Sequence, residues 1–238
     1  MTTTPLAAGP MERPAPDGAP LSLADRVLAV TARPGQESAD LGGLLYAFRR
    51  AGARVALLCL TRGEASPLNS TFARLEAVRP WELQLAASVL GICSVTVASF
   101  PDGGLGDHPL ADLTERVWHA IRRYSPDLVL IIDPAAGGPD DAAVAAAAGA
   151  AAARAGVPVA AHTRPTDRDA WVIDLGPDAP VARAIQKAAA AAHASQADAL
   201  PQLVRRIDQL DGREHLRWLA YPQWTPADDD ALAAAGLR

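Results

Sequence analysis

The chain has 238 residues, 50% of them apolar and 21% charged, with a formal net charge of −5. That length and balance suit one folded core and exclude a chain that stays disordered throughout. The acidic charge argues against a nucleic-acid partner, whose phosphates select a basic face, and no apolar run reaches the ~18 residues of a membrane span.

Residues 1–20 carry five prolines among Ala, Gly and Thr without apolar periodicity, and are expected to form a disordered arm. Residues 21–222 are expected to form a single domain, and 223–238, with the run Asp228-Asp229-Asp230, an acidic tail. From Arg26 onward, short apolar runs alternate with longer segments of helical spacing. Strands are predicted at Val27–Thr31, Arg54–Leu60, Ser94–Ser99, Asp127–Asp133, Val157–Ala161 and Ala170–Leu175. Between them, Leu41–Ala51, Thr71–Leu90, Leu110–Tyr124, Asp141–Ala155 and Val181–Ala199 are predicted helices, with breaks at Gly52, Gly91, Pro126 and Gly156. This alternation predicts an α/β fold, a Rossmann-like and mostly parallel sheet with helices on both faces, whose ligands sit at the carboxyl ends of the strands. Cys59 and Cys93 lie in apolar stretches and are expected to be small buried hydrophobes rather than a disulfide or a metal knot. Without a basic, apolar leader the chain is expected to be cytoplasmic, and its oligomeric state stays open.

Several loop motifs follow the strands. The first strand runs into Ala32-Arg33-Pro34-Gly35-Gln36-Glu37, with Gly42-Gly43 opening a helix. Downstream come Thr61-Arg62-Gly63-Glu64, Arg79-Pro80-Trp81-Glu82 and Phe100-Pro101-Asp102-Gly103-Gly104-Leu105. Then follow Gly137-Gly138-Pro139-Asp140-Asp141, Lys187 with His193-Ala194-Ser195-Gln196, and Gly212-Arg213-Glu214. In this order and spacing the fragments resemble the LmbE/PIG-L family of zinc-dependent de-N-acetylases, over about residues 26 to 220. The resemblance implies that family's fold and a small-molecule substrate, polar, glycosyl or amide-bearing.

The family's first motif reads Ala-His-Pro-Asp-Asp-Glu and its second Gly-His-Pro-Asp-His. By that resemblance the zinc ligands fall at Arg33, Gln36 and Asp141, the general base at Gly35, and the histidine that assists the oxyanion at Gly138. A guanidinium has no lone pair to offer, and Gln36 has only a neutral carbonyl oxygen. Asp141 alone does not make a catalytic zinc site, which keeps three protein ligands and an open position. Without zinc to lower the pKa of water from about 15.7 to about 7, and without a base, the family's hydrolysis loses its nucleophile. No metal and no other cofactor is expected. Arg33 is expected either to replace the cation by pairing with Asp141 or Glu37, or to plug the pocket.

The candidate catalytic set is Arg33, Glu37, Asp141, His162 and His193, and the candidate substrate-binding set is Gln36, Arg79, Asp102, Gly103 and His108. His193 serves equally as a packing residue, Arg79 and Glu82 as a surface pair one turn apart, and His108 and His162 as bystanders. Three readings follow. The first is a repurposed, metal-independent enzyme of bacterial specialised metabolism. The second is a non-catalytic binding protein with Arg33 filling the site. The third is a zinc hydrolase whose shell is rebuilt from Asp40, Asp140, Asp141 or His162.

Overall fold

The structure, a computed structural model, describes residues 24–68, 74–163 and 170–220, so the expected arm and acidic tail lie outside the described residues. The parallel strands are β1 (Arg26–Thr31), β2 (Arg54–Thr61), β3 (Ser94–Phe100), β4 (Leu128–Ile132) and β5 (Val159–His162). β6 (Trp171–Asp174) and β7 (Arg213–Ala220) complete a seven-stranded mixed sheet in the order β3-β2-β1-β4-β5-β7-β6, with β7 antiparallel to both neighbours.

The central strands are apolar on both sides because both faces are covered. Along β1, Val27 and Ala29 enter one core while Leu28 and Val30 enter the other; along β2, Val55, Leu57 and Cys59 alternate with Ala56, Leu58 and Leu60. The helices α2 (Gly42–Arg50), α3 (Leu75–Leu90) and α6 (Ala179–Ala191) cover the first face through Leu44, Phe48, Leu83, Leu90 and Ala189. On the second face lie α4 (Leu110–Tyr124) and α5 (Pro139–Ala155), whose Ala147, Ala148, Ala151 and Ala152 let the helix approach the sheet closely. A single turn, α1 (Gln36–Ala39), precedes α2, and α7 (Leu200–Asp208) precedes β7. Among the described residues no helix is long and apolar enough to cross a membrane.

Three expectations change. The predicted helix Val181–Ala199 ends at Ala191, because the N–H of Ser195 donates to the Glu82 carboxylate at 2.6 Å instead of continuing the helical ladder. β7 was not anticipated: Arg213, Glu214, His215 and Arg217 hide its period of two, yet Glu214 and Leu216 point inward and are 3% and 0% exposed. Cys93 is exposed, since it sits in the turn that follows α3, whereas Cys59 is buried and burial pushes its thiol up to about 12.

The polar ties that close the sheet are ionic. On β7, Glu214 accepts from Arg183 of α6 at 2.5 Å and faces His162 of β5 at 2.7 Å. Burial raises the Glu214 carboxyl, and His162 and Arg183 more than reverse this, leaving it below its ordinary value. Arg217 grips both oxygens of Asp133, the residue after β4. Replacing Arg183 with Met should therefore remove one of the two partners of a buried carboxylate and destabilise the fold by about 1–3 kcal/mol, read as a lower urea midpoint. Burial raises the Asp133 carboxyl, but Arg217 and the Ala135 N–H bring it from 3.8 down to about 2. Its folded pKa lies below the unfolded one, so this contribution of about 2 kcal/mol is complete above pH ~4 and fades as the pH falls through about 2. In Asp133→Asn that acid-limb dependence should disappear from the pH–stability curve.

Candidate functional site

The loop at the carboxyl end of β1, with α1 and Arg79 of α3, and α6, α7 and the turn between them, line a cleft of about 510 Å³. Its wall begins with Arg33, Pro34, Gly35 and Gln36 after β1 and ends with Gln202, Leu203 and Arg206 on α7. Gly35 has φ +102°, a conformation that L side chains rarely adopt, and it turns the chain back into α1. That reversal folds the side chain of Gln36 under the loop. Its Oε1 accepts from the N–H groups of Ala32 at 2.9 Å and Arg33 at 3.1 Å, which fixes the amide orientation. Its Nε2 therefore donates outward, to Asp141 Oδ1 at 2.7 Å.

Asp141 stands at the start of α5, and its second oxygen accepts the N–H of Gly138 at 2.8 Å, so the helix N-terminus stabilises the carboxylate. A β-carbon at Gly137 would run into the Asp141 side chain. A neutral amide thus links two of the three positions that the sequence resemblance assigns to zinc ligands. Asp141 is 3% exposed, and both its oxygens are already engaged. Among the described residues no three His, Cys, Asp or Glu side chains gather in a metal-holding group. The donor set does not fit a zinc ion, because an amide N–H points where a ligand lone pair is needed.

Arg33 corrects the expectation placed on it. It is exposed at the edge of the cleft, and among the described residues it forms no ion pair with Asp141, Glu37 or any other carboxylate. Asp141 is satisfied by Gln36 and Gly138, and Glu37 by other groups, so neither draws the guanidinium inward. Glu37 is fully buried and faces His193 Nε2 at 2.7 Å, while also accepting from Ser38 Oγ at 2.6 Å and Gly35 N at 2.8 Å. Burial raises the Glu37 carboxyl, and His193, Ser38 and Gly35 together bring it below its usual value. His193 lines the cleft, is 4% exposed, and has an Nδ1 with no hydrogen-bond partner.

Arg79 and Glu82 on α3 are both buried and hold different groups. Arg79 donates to the carbonyls of Gly63 at 2.6 Å and Pro34 at 2.5 Å and lines the cleft. Glu82 takes the N–H and the hydroxyl of Ser195, both at 2.6 Å. Asp102 accepts from Thr61 Oγ1 and Ala65 N, and Gly103 donates to Asp140 at 2.8 Å, so both organise loops beside the site. His108 lies outside the cleft wall, edge-on to Phe100 and 3.4 Å from Asp112. His162 is likewise absent from the wall and is held by Glu214. The carboxylates proposed to rebuild a metal shell are separately engaged: Asp40 by Arg206 at 3.0 Å, and Asp140 by the N–H groups of Gly103 and Leu105. Sequence reasoning missed Arg206, although Leu200, Leu203 and Ile207 give α7 a helical apolar stripe that would have marked it.

Solved structures share this fold. A conserved protein from Thermus thermophilus aligns with a TM-score of 0.66 and 23% identity, covering 85% of this chain and 98% of that one. The N,N'-diacetylchitobiose deacetylase of Pyrococcus horikoshii aligns at 0.68 and 17%, covering 87% and 90%. The 4-carboxy-2-hydroxymuconate hydratase of Pseudomonas putida aligns at 0.63 and 20%, covering 84% and 98%. Among curated protein sequences none matches significantly. The family model for GlcNAc-PI de-N-acetylase (PIG-L) matches residues 28–152, more than half of the sequence, and the chain belongs to that family.

Proposed function

We propose that this chain is a PIG-L-family enzyme that works without the family's zinc, carrying out proton-transfer chemistry on a small polar metabolite bound in the cleft. The observation that carries the reading is the Gln36–Asp141 hydrogen bond, which closes the ligand positions while the cleft beside them stays open. The scaffold does not restrict the reaction to deacetylation, since a hydratase is built on the same fold.

In this reading Glu37 holds the imidazole of His193 by Nε2, and the buried Nδ1, which has no hydrogen-bond partner, is the ring nitrogen left to exchange a proton with the substrate. His193 accepts a proton there, and the buried carboxylate stabilises the imidazolium that forms. Neither residue requires a metal. A second reading, a binding protein without turnover, is favoured by the internal hydrogen bonds that occupy both oxygens of Asp141 and of Glu37.

Elemental analysis of protein made with added zinc should give well below one equivalent per chain, and stoichiometric zinc would overturn the proposal. The triple variant Arg33→His, Gln36→Asp, Asp141→His should gain zinc, because it supplies three donors of the right type where an amide now stands. Turnover found in a screen of amide-, glycosyl- and carboxylate-bearing metabolites should survive chelators. It should fall ~10²–10⁴-fold in kcat in Glu37→Gln, with KM nearly unchanged. Ligand binding with no turnover in the parent would select the second reading.

A further inference from the structure

Arg79 is a buried cation without a counter-ion. Its residue is 4% exposed, two of its five N–H groups go to backbone carbonyls, and Nε has no hydrogen-bond partner. Among the described residues no carboxylate pairs with it. Burial lowers its pKa, against Asp102, Glu82 and Glu37, which act from beyond ion-pair distance. Those three carboxylates have their own partners in Thr61, Ser195 and His193.

The wall of the cleft is itself rich in arginine. Its charged lining is Arg33, Arg79 and Arg206 against the single carboxylate Asp40, which is paired with Arg206. This concentration of positive charge sits in a chain whose formal charge is −5. Low-dielectric walls focus such a field on a bound ligand. Beside Arg79 there is room for one: a β-carbon at Gly35 would have a single neighbour within 4 Å, the Arg79 Nη2 at 3.7 Å.

We infer that the cleft recognises a carboxylate on a small metabolite, seated against Arg79 beside Gly35, with Arg33 and Arg206 supplying charge at the mouth. Arg79 Nη2 borders the space beside Gly35, and a planar carboxylate matches the flat edge of a guanidinium. The amide of Gln202, which also lines the cleft, faces the uncharged part of the ligand, while Gln196 is held by Ser66 and Ser195. The inference rests on the zinc-free reading of the site.

The test is calorimetric titration of the full-length protein, its zinc content measured on the same sample, with malonate, inorganic phosphate and uncharged N-acetylglucosamine. Malonate should bind, phosphate should bind at least ~10-fold more weakly, and N-acetylglucosamine should give no heat. Arg79→Gln should weaken malonate binding ~10–100-fold, the range for a lost charge-assisted hydrogen bond. Because Arg79 also ties two loops, the exposed double variant Arg33→Gln, Arg206→Gln gives an independent reading and should weaken malonate at least ~5-fold. Malonate that fails to bind metal-free protein, or binds parent and double variant alike, overturns the carboxylate site. Phosphate binding tighter than malonate reassigns it to phosphoryl groups and equally overturns it. Stoichiometric zinc in the sample marks failure of the zinc-free reading instead, and is read separately from the binding curve.

Discussion

The side-chain amide of Gln36 organises the centre of this molecule. It accepts two backbone N–H groups from the end of β1 and donates to the carboxylate that opens α5, so one neutral group joins the two loops at the sheet's central crevice. A metal ion in such a place attracts lone pairs from several sides. An amide instead presents a donor to one acceptor. Gln36 and the Gly138 N–H both donate to Asp141, so each of its oxygens has a partner.

Each neighbouring carboxylate has a partner of its own. Glu37 faces His193, Glu82 binds Ser195, Asp40 pairs with Arg206, and Asp140 accepts two N–H groups from the loop after β3. The arginines are less evenly matched. Arg79 has backbone carbonyls and Arg33 has solvent, so the wall itself carries three arginines and one carboxylate, with Glu37, Glu82 and Asp141 buried behind it.

The mobility of roles within a shared scaffold is visible in Glu37 and His193. Their hydrogen bond joins α1 to the turn after α6, and it stands beside Ser195–Glu82, which joins that turn to α3. Both contacts hold the cleft wall in place, so residues that position the chain also border the space where a ligand sits. This is the arrangement expected when a site is supported by buried polar groups that hold one another in place.

The fold was legible in the sequence because its signals are local. Unbroken apolar runs read as parallel strands buried on both faces, and Gly52, Gly91 and Gly156 mark the helix ends where periodicity stops. The unsuitability of Arg33 and Gln36 as zinc ligands was equally local, a property of the functional groups themselves. β7 escaped because its inward Glu214 looks like a surface charge until Arg183 and His162, 31 and 52 residues away, are brought to it. Where Arg33 points was likewise decided by tertiary structure. Sequence placed it next to carboxylates, but whether it pairs with them depends on which partners reach those oxygens first. Gln36 and the Gly138 N–H do so at Asp141, and His193, Ser38 and the Gly35 N–H at Glu37. Chemistry that a residue lacks can be read from its type; the partner that a charged residue takes is a competition settled only when distant segments pack together.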